Sequence, residues 1–534
     1  MADSEAGIVY EERHRGHARE ANGAEDHRFV MTFLFGLDGS EGLYTTLVAM
    51  LVATFCAVLH LREKYCDRRR APGPKGFPVI GSSHIIGRYP NVWDAFGDLR
   101  RQYGDVFALT LGSKSCLVVS SVEALREVLV AKAADFADRP DSLRYHAIFK
   151  GDRNLSIALC DWSSKQQLRR ELAYSPMHPR QGSGDQDRLS TVIQKELLYL
   201  VSEYSQSVGT PVKPRQALLV ATANIFYGFF CSINFSPEDD KFLRIIDLYN
   251  HVFHQLFQGF AIDFMPWLKI VQNRELCLLK EKSLEIFHFT NAILDARDDE
   301  PRAADGPRDL LDVLLISLEA PGSLLDRLDV SVIIEDLIGG HSVIANLWVW
   351  CLYILASHGE VQDKIRAEAI RAAGAEGAIE RVLTLADKPK LSFTESSVYE
   401  VIRIVNSPII PHVCAKDTTV QGFYVPKGTM VMFNTNEINY SAELWEEPWS
   451  FRPERFLNED GTVSKPRHFF PFGTGKRSCM GDGIVRATLV LGLSTLLRHF
   501  RITLAEDQKP ANFASFRCKV IFDKDPKLLF DPIS

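Results

Sequence analysis

Near its C-terminal end the chain reads Phe472-Gly473-Thr474-Gly475-Lys476-Arg477-Ser478-Cys479-Met480-Gly481, and a helix-compatible stretch from Asp482 to Phe500 follows. Glycines at 473, 475 and 481 let a backbone turn tightly and approach a flat object closely. A thiolate at a helix N-terminus is stabilised by the dipole and by free N–H groups, which lowers its pKa. Arg477 stands two residues before the cysteine, ready to meet an anionic group. These are the needs of a thiolate that binds iron from one face of a porphyrin. The alternative is a glycine-rich turn around an inert, buried cysteine.

Two further groups have chemistry-bearing spacing. Glu400 and Arg403 stand at i and i+3, neighbours on one helical face, a pairing also common on solvated helices. Gly339-Gly340-His341-Ser342 lies within an apolar stretch, Val330 to Ser357, that reads as a helix. His341 can titrate near neutral pH and move protons, or it sits on the helix's far side bonded to protein. The paired glycines open space along that helix for a ligand.

The elements that position these residues are mostly helical. Short strands are expected at Val106 to Leu111, at Ser115 to Val119 and around Thr419 to Phe433, with a surface loop from Pro301 to Pro307. The class is therefore mostly α with a small β subdomain, without a βαβ rhythm. Aromatics from Phe253 to Trp267 (Phe257, Phe260 and Phe264 between them) roof a pocket, touch a membrane or fill an ordinary helix core.

Ahead of this body, Leu43 to Leu61 is an apolar run of about 28 Å as a helix, close to the hydrocarbon thickness of a bilayer. Arg62, Lys64, Arg68, Arg69 and Arg70 follow it, whereas Asp38 and Glu41 precede it. The positive flank keeps the body cytosolic and places residues 1–42 in the lumen, the first 30 of them polar and disordered. The expected division is thus a lumenal segment (1–42), one transmembrane anchor (43–61), a basic and Pro-rich hinge (62–78) and a catalytic domain (79–534). Ten cysteines without a C-x-x-C pair argue against a zinc ribbon or disulfide framework, and a net charge of −7 gives no reason to expect nucleic acid.

The cysteine loop resembles the cytochrome P-450 family, whose F-x-x-G-x-R-x-C-x-G signature is matched by Phe472, Gly475, Arg477, Cys479 and Gly481. Pro448 to Phe456 matches the family's P-x-x-F-x-P-x-R-F stretch, which implies a buried network of Glu400, Arg403 and Arg455. Asp161 to Arg170 is similar to the family's early W-x-x-x-R helix. Trp162 fits it, but Gln166 stands at the arginine position, leaving Arg169 and Arg170 as substitutes. His412 follows Pro411 where many members carry a propionate-facing His or Arg, although a packed or exposed histidine reads equally well. The resemblance implies a P-450 fold around haem b, with Cys479 on the iron and Arg477, Trp162, His412 and Phe472 as cofactor contacts. It also implies NADPH-cytochrome P-450 reductase as partner, an apolar substrate and a single-pass protein of the endoplasmic reticulum membrane.

One departure matters for the chemistry. The family usually shows [A/G]-G-x-[D/E]-T on its distal helix, and here Ser342 and Val343 take the acid and alcohol positions. Gly340, His341 and Ser342 are therefore the candidates for reorganising the proton path. The Gly-Gly-His-Ser stretch and Ala158 to Ser163 resemble the Spook-type enzymes of arthropod ecdysteroid synthesis, which implies a sterol substrate such as 7-dehydrocholesterol. Loss of the acid–alcohol pair also suits a haem-thiolate isomerase or dehydratase of an oxygenated lipid. A general lipid or xenobiotic monooxygenase is a further alternative, and a non-catalytic haem carrier is another.

Overall fold

The computed structural model describes residues 46–57, 69–257, 260–301, 306–374, 381–513 and 521–533. The chain divides into two units, 1–69 and 70–534. In the first, Thr46–Ala57 is an apolar helix with exposed side chains. Its length is about 18 Å, shorter than the expected anchor, whose two ends lie outside the described residues, as do residues 1–42. One described helix, Arg327–Leu355, is long and apolar enough to cross a membrane, but it is mostly buried and belongs to the core of the second unit.

The Pro-Gly-Pro segment expected to act as a hinge is docked on this second unit. Arg70 bridges Tyr424, and Ala108 N–H donates to Pro72 O at 2.8 Å. A Cβ on Gly73 would lie 1.7 Å from Ala108 O, so this approach requires glycine. Strands β1 (Val106–Leu111), β2 (Lys114–Val119), β3 (His412–Val413) and β6 (Met430–Phe433) form one sheet in the order β1-β2-β6-β3. The parallel pairing of β2 with β6 sets Cys116 against Met430 and brings distant parts of the sequence together. Two hairpin-like sheets complete the strands: β4 (Thr418–Val420) with β5 (Phe423–Val425), and β7 (Phe500–Leu504) with β8 (Leu528–Pro532).

Helices build the rest. Those that bear on the site are α1 (Ser164–Met177), α2 (Arg215–Cys231), α3 (Asp240–Phe257), α4 (Lys269–Asp298), α5 (Arg327–Leu355), α6 (Ser392–Val405) and α7 (Asp482–His499). Helix α5 is apolar on nearly every face because neighbours surround it, as expected for the central helix of a large core. Its start is fixed by a reciprocal cap: Asp329 N–H donates to Asp326 Oδ1 at 2.9 Å, and Asp326 N–H donates to Asp329 Oδ2 at 2.8 Å. Farther along, α5 meets α7 where Gly492 admits the Trp348 ring; a Cβ there would lie 2.1 Å from it.

Three charges lock α6 to the segment before the cysteine loop. Glu400 accepts from Arg403 Nε at 2.7 Å and from Arg455 Nε at 3.0 Å, with all three side chains buried. Arg403 Nη1 continues to the carbonyls of Asn439 (2.7 Å) and Pro448 (2.8 Å), so each charge has partners.

Candidate haem site

The cysteine loop is a turn that glycine makes possible. Gly473 and Gly475 have φ of 66° and 74°, and a Cβ on Gly475 would lie 1.8 Å from Leu129 O. Cys479 N–H donates to Phe472 O at 2.9 Å, and Gly481 N–H donates to Cys479 Sγ at 3.3 Å. Helix α7 begins three residues after the cysteine, while Phe472 packs against the main core. The Cys479 side chain stays exposed although the loop that carries it is set among protein.

The expectation of a lowered cysteine pKa does not hold for the chain alone. Burial pushes the Cys479 thiol up, and Gly481 N–H pulls it back by less. A coordinating metal deprotonates such a thiol outright, so the loop suits a metal ligand better than a free nucleophile.

Beside the cysteine lies a concentration of positive charge. Arg477 is buried and donates through Nη2 to Cys160 O; its Nε and Nη1 are buried with no acceptor among the described residues. Arg139, also buried, donates through Nε to Ala158 O at 2.9 Å and through Nη1 to Ile410 O at 2.9 Å and Pro411 O at 3.1 Å. Burial and then the Arg477 charge hold Arg139 well below the usual guanidinium range. Arg170 Nη2 reaches Ser478 O at 2.7 Å. His412 is buried, with Nδ1–H donating to Phe136 O at 2.7 Å, and its pKa is depressed by burial and then by Arg139. Trp162 lies beneath Lys476, whose ammonium is 4.1 Å from the ring centroid, and near Arg477 at 5.8 Å.

Orphaned guanidinium donors near an exposed cysteine fit a planar group that carries both a metal and carboxylates. Haem is such a group: Cys479 would hold its iron, while Arg477 and Arg139 would meet its propionates, with Trp162 and His412 beside them. A thiolate-ligated haem supplies activation of dioxygen when bound.

Of the proposed substitutes for Gln166, Arg170 is at the loop and Arg169 is not. Arg169 pairs with Asp329 at the start of α5 and donates to Asn154 O at 2.7 Å. Gln166 itself is buried and donates to Ile157 O at 2.5 Å. Arg139 was absent from the sequence expectations. Its partners are carbonyls at 158, 410 and 411, a long-range arrangement without a local signature.

On α5, Asp336, Gly339, Gly340 and Val343 keep partial exposure within an otherwise buried stretch. Their spacing of three, four and seven places them on one face of the helix. A Cβ on Gly340 would lie 3.1 Å from the Phe226 ring of α2, and one on Gly339 would lie 3.5 Å from Tyr249 of α3. The glycines therefore also let aromatic neighbours press on the helix. His341 and Ser342 are fully buried and off the exposed stripe. His341 Nδ1–H donates to Ile338 O at 2.7 Å, and Ser342 Oγ–H donates to its Nε2 at 3.3 Å. Burial lowers the imidazole pKa to about 4, in keeping with the protein-bonded alternative rather than the proton carrier. It is a neutral, protein-bonded histidine at physiological pH.

With this geometry in place, comparison with known proteins is direct. A family model described as Cytochrome P450 matches residues 71–529. The chain is 34% identical to cytochrome P450 307a1 of Drosophila melanogaster over 470 residues, covering 82% of this chain and 85% of the relative. It is 28% identical to cytochrome P450 1B1 of Rattus norvegicus, covering 90% and 94%. With cytochrome P450 1A1 of Sparus aurata it shares 29%, covering 88% and 92%. The chain belongs to the cytochrome P450 family and is a monooxygenase of the oxidoreductase class.

Proposed function

We propose that this monooxygenase hydroxylates or otherwise oxidises an apolar sterol early in ecdysteroid synthesis, with haem b held by Cys479. The observation that carries the reading is the Gly339-Gly340-His341-Ser342 stretch with Ala158 to Ser163, which is similar to the Spook-type enzymes. The 34% identity with cytochrome P450 307a1 supports it. The partly exposed stripe on α5 supports a substrate that lies along Gly339, Gly340 and Val343, beside the rings of Phe226 and Tyr249. Gly340, on that stripe, shapes the floor against which the substrate rests. Ser342 and His341, bonded to each other behind it, hold the helix backbone rather than carry protons.

Electrons arrive from NADPH-cytochrome P-450 reductase at the cysteine-side face, where Lys476 is exposed and basic. The body faces the cytosol from the endoplasmic reticulum membrane on a single anchor. Apolar side chains support a second membrane contact: Phe77, Val79, Trp267, Ile270 and Val271 are all largely exposed. Their segments adjoin, since Gly81 bridges Leu111 while Ser113 N–H donates to Phe264 O at 3.0 Å.

A spectral titration of the purified ferric protein with 7-dehydrocholesterol, against a fatty acid, tests the substrate. The proposal expects a saturable low-to-high-spin shift with the sterol alone. No shift with the sterol, or a larger one with the fatty acid, would overturn it. The position of Val343 where the family has an alcohol favours a second reading, an isomerase or dehydratase. Turnover of an oxygenated lipid without NADPH would establish that reading instead.

A further inference from the structure

The segment Ser156–Asp161 connects the two sides of the site. Toward the positive cluster it offers carbonyls: Ala158 O to Arg139 at 2.9 Å, Cys160 O to Arg477, and Leu159 O to Arg153 at 2.9 Å. Toward α5 it offers donors. Ile157 N–H donates to Asp336 Oδ2 at 2.6 Å, and Ser156 Oγ–H donates to the same oxygen at 2.9 Å. Ser156 Oγ then accepts from Ala158 N–H at 3.1 Å and Leu159 N–H at 3.2 Å. The segment is therefore oriented from one carboxylate oxygen outward.

The residue before Asp336 reinforces the grip. Glu335 accepts from Lys150 Nζ at 2.5 Å, so two consecutive carboxylates on α5 hold both ends of 150–157. Asp336 is also the charged member of the exposed stripe, alongside Gly339, Gly340 and Val343. Hydrogen bonds to an ionised acceptor are shorter and roughly twice as strong as neutral ones, which explains why a carboxylate does this work.

We propose that Asp336 is a positioning residue for the cofactor: it orients Ser156–Asp161 so that the carbonyls of Ala158 and Cys160 aim Arg139 and Arg477 at the haem propionates. Through the same bonds the substrate-facing helix is tied to the cofactor's anionic edge. Asp336 would act on the cofactor through the segment, to which it is bonded at Ser156 and Ile157. Residues that orient ligating groups from behind typically change cofactor or metal retention by about 10- to 100-fold when removed.

Haem transfer from the purified holoprotein to excess apomyoglobin, followed by Soret absorbance, measures retention independently of turnover. Asp336→Ala is expected to lose haem about tenfold faster than wild type. Asp336→Asn, which keeps an acceptor oxygen in place, should recover part of that loss. Because both act on one arrangement, Asp336→Ala combined with Arg477→Lys should lose haem no faster than the worse single variant. A merely structural role would lower stability but leave the two effects multiplying. Wild-type haem loss in Asp336→Ala, or multiplicative effects in the double variant, would overturn the proposal. If Asp336→Ala yields no holoprotein, Ser156→Ala removes one donor and keeps the carboxylate. It should show the same acceleration in smaller degree, and a wild-type rate there would overturn the proposal equally.

Discussion

At the scale of single residues, burial decides what each charged or titratable group can do. Glu400 has no exposed atoms, and two guanidiniums depend on it. Glu400→Gln leaves buried positive charge uncompensated and should lower stability by about 3–5 kcal/mol, measurable by chemical denaturation of the holoprotein. His341 carries a different lesson. It binds a proton only below about pH 4 in the folded protein, against 6.5 when unfolded, so acidification through this window favours the unfolded chain. That contribution, on the order of 3 kcal/mol, is fully present above pH 6.5 and lost as pH falls toward 4. Glu335, raised to about 7 by burial, works in the opposite direction: its contribution is present below its unfolded value of 4.5 and lost as pH rises through 7. His341→Gln should therefore flatten the acid limb of a stability–pH curve between 6.5 and 4; an unchanged limb would refute the burial argument. The Glu400 network was legible through the family stretch at Pro448 to Phe456. The side of α5 that His341 takes was not, because α5 is apolar on nearly every face and periodicity does not tell His341's side from Gly340's.

At the scale of elements, the cysteine loop was the most legible part because its demands are local. A positive φ, and a Cβ that would lie 1.8 Å from Leu129 O, leave Gly475 no replacement. Gly475→Ala should displace the loop from the neighbouring turn and cost at least about 1–3 kcal/mol, with visible loss of bound haem. Unchanged haem content would show that the loop relaxes without harm. The strands read at Val106 to Leu111, at Ser115 to Val119 and around Thr419 to Phe433 were similarly legible from residue type, whereas the parallel pairing of β2 with Met430–Phe433 was not. Arg139 was missed for the same physical reason. Its three carbonyl partners converge only when the chain from 136 to 161 meets the turn at 410.

At the scale of the whole molecule, the body from Arg70 onward contains the core, the sheets and every residue of the site. A chain starting at Arg69 should therefore fold and bind haem. It should still associate with anionic vesicles through the exposed apolar side chains near Trp267, Ile270 and Val271. Replacing those three with Asp should abolish the residual association in a flotation assay while leaving haem content unchanged. Retained flotation would place the second membrane contact elsewhere.

The account as a whole rests on Cys479 as the iron ligand in a cradle of buried arginines. The direct measurement is the absorption spectrum of the reduced, carbon monoxide-bound protein, wild type beside Cys479→Ala. Wild type should show the red-shifted Soret band of a thiolate-ligated haem, and the variant should lose that band. The same band in Cys479→Ala would contradict the assignment, because a different side chain would then have to supply the thiolate.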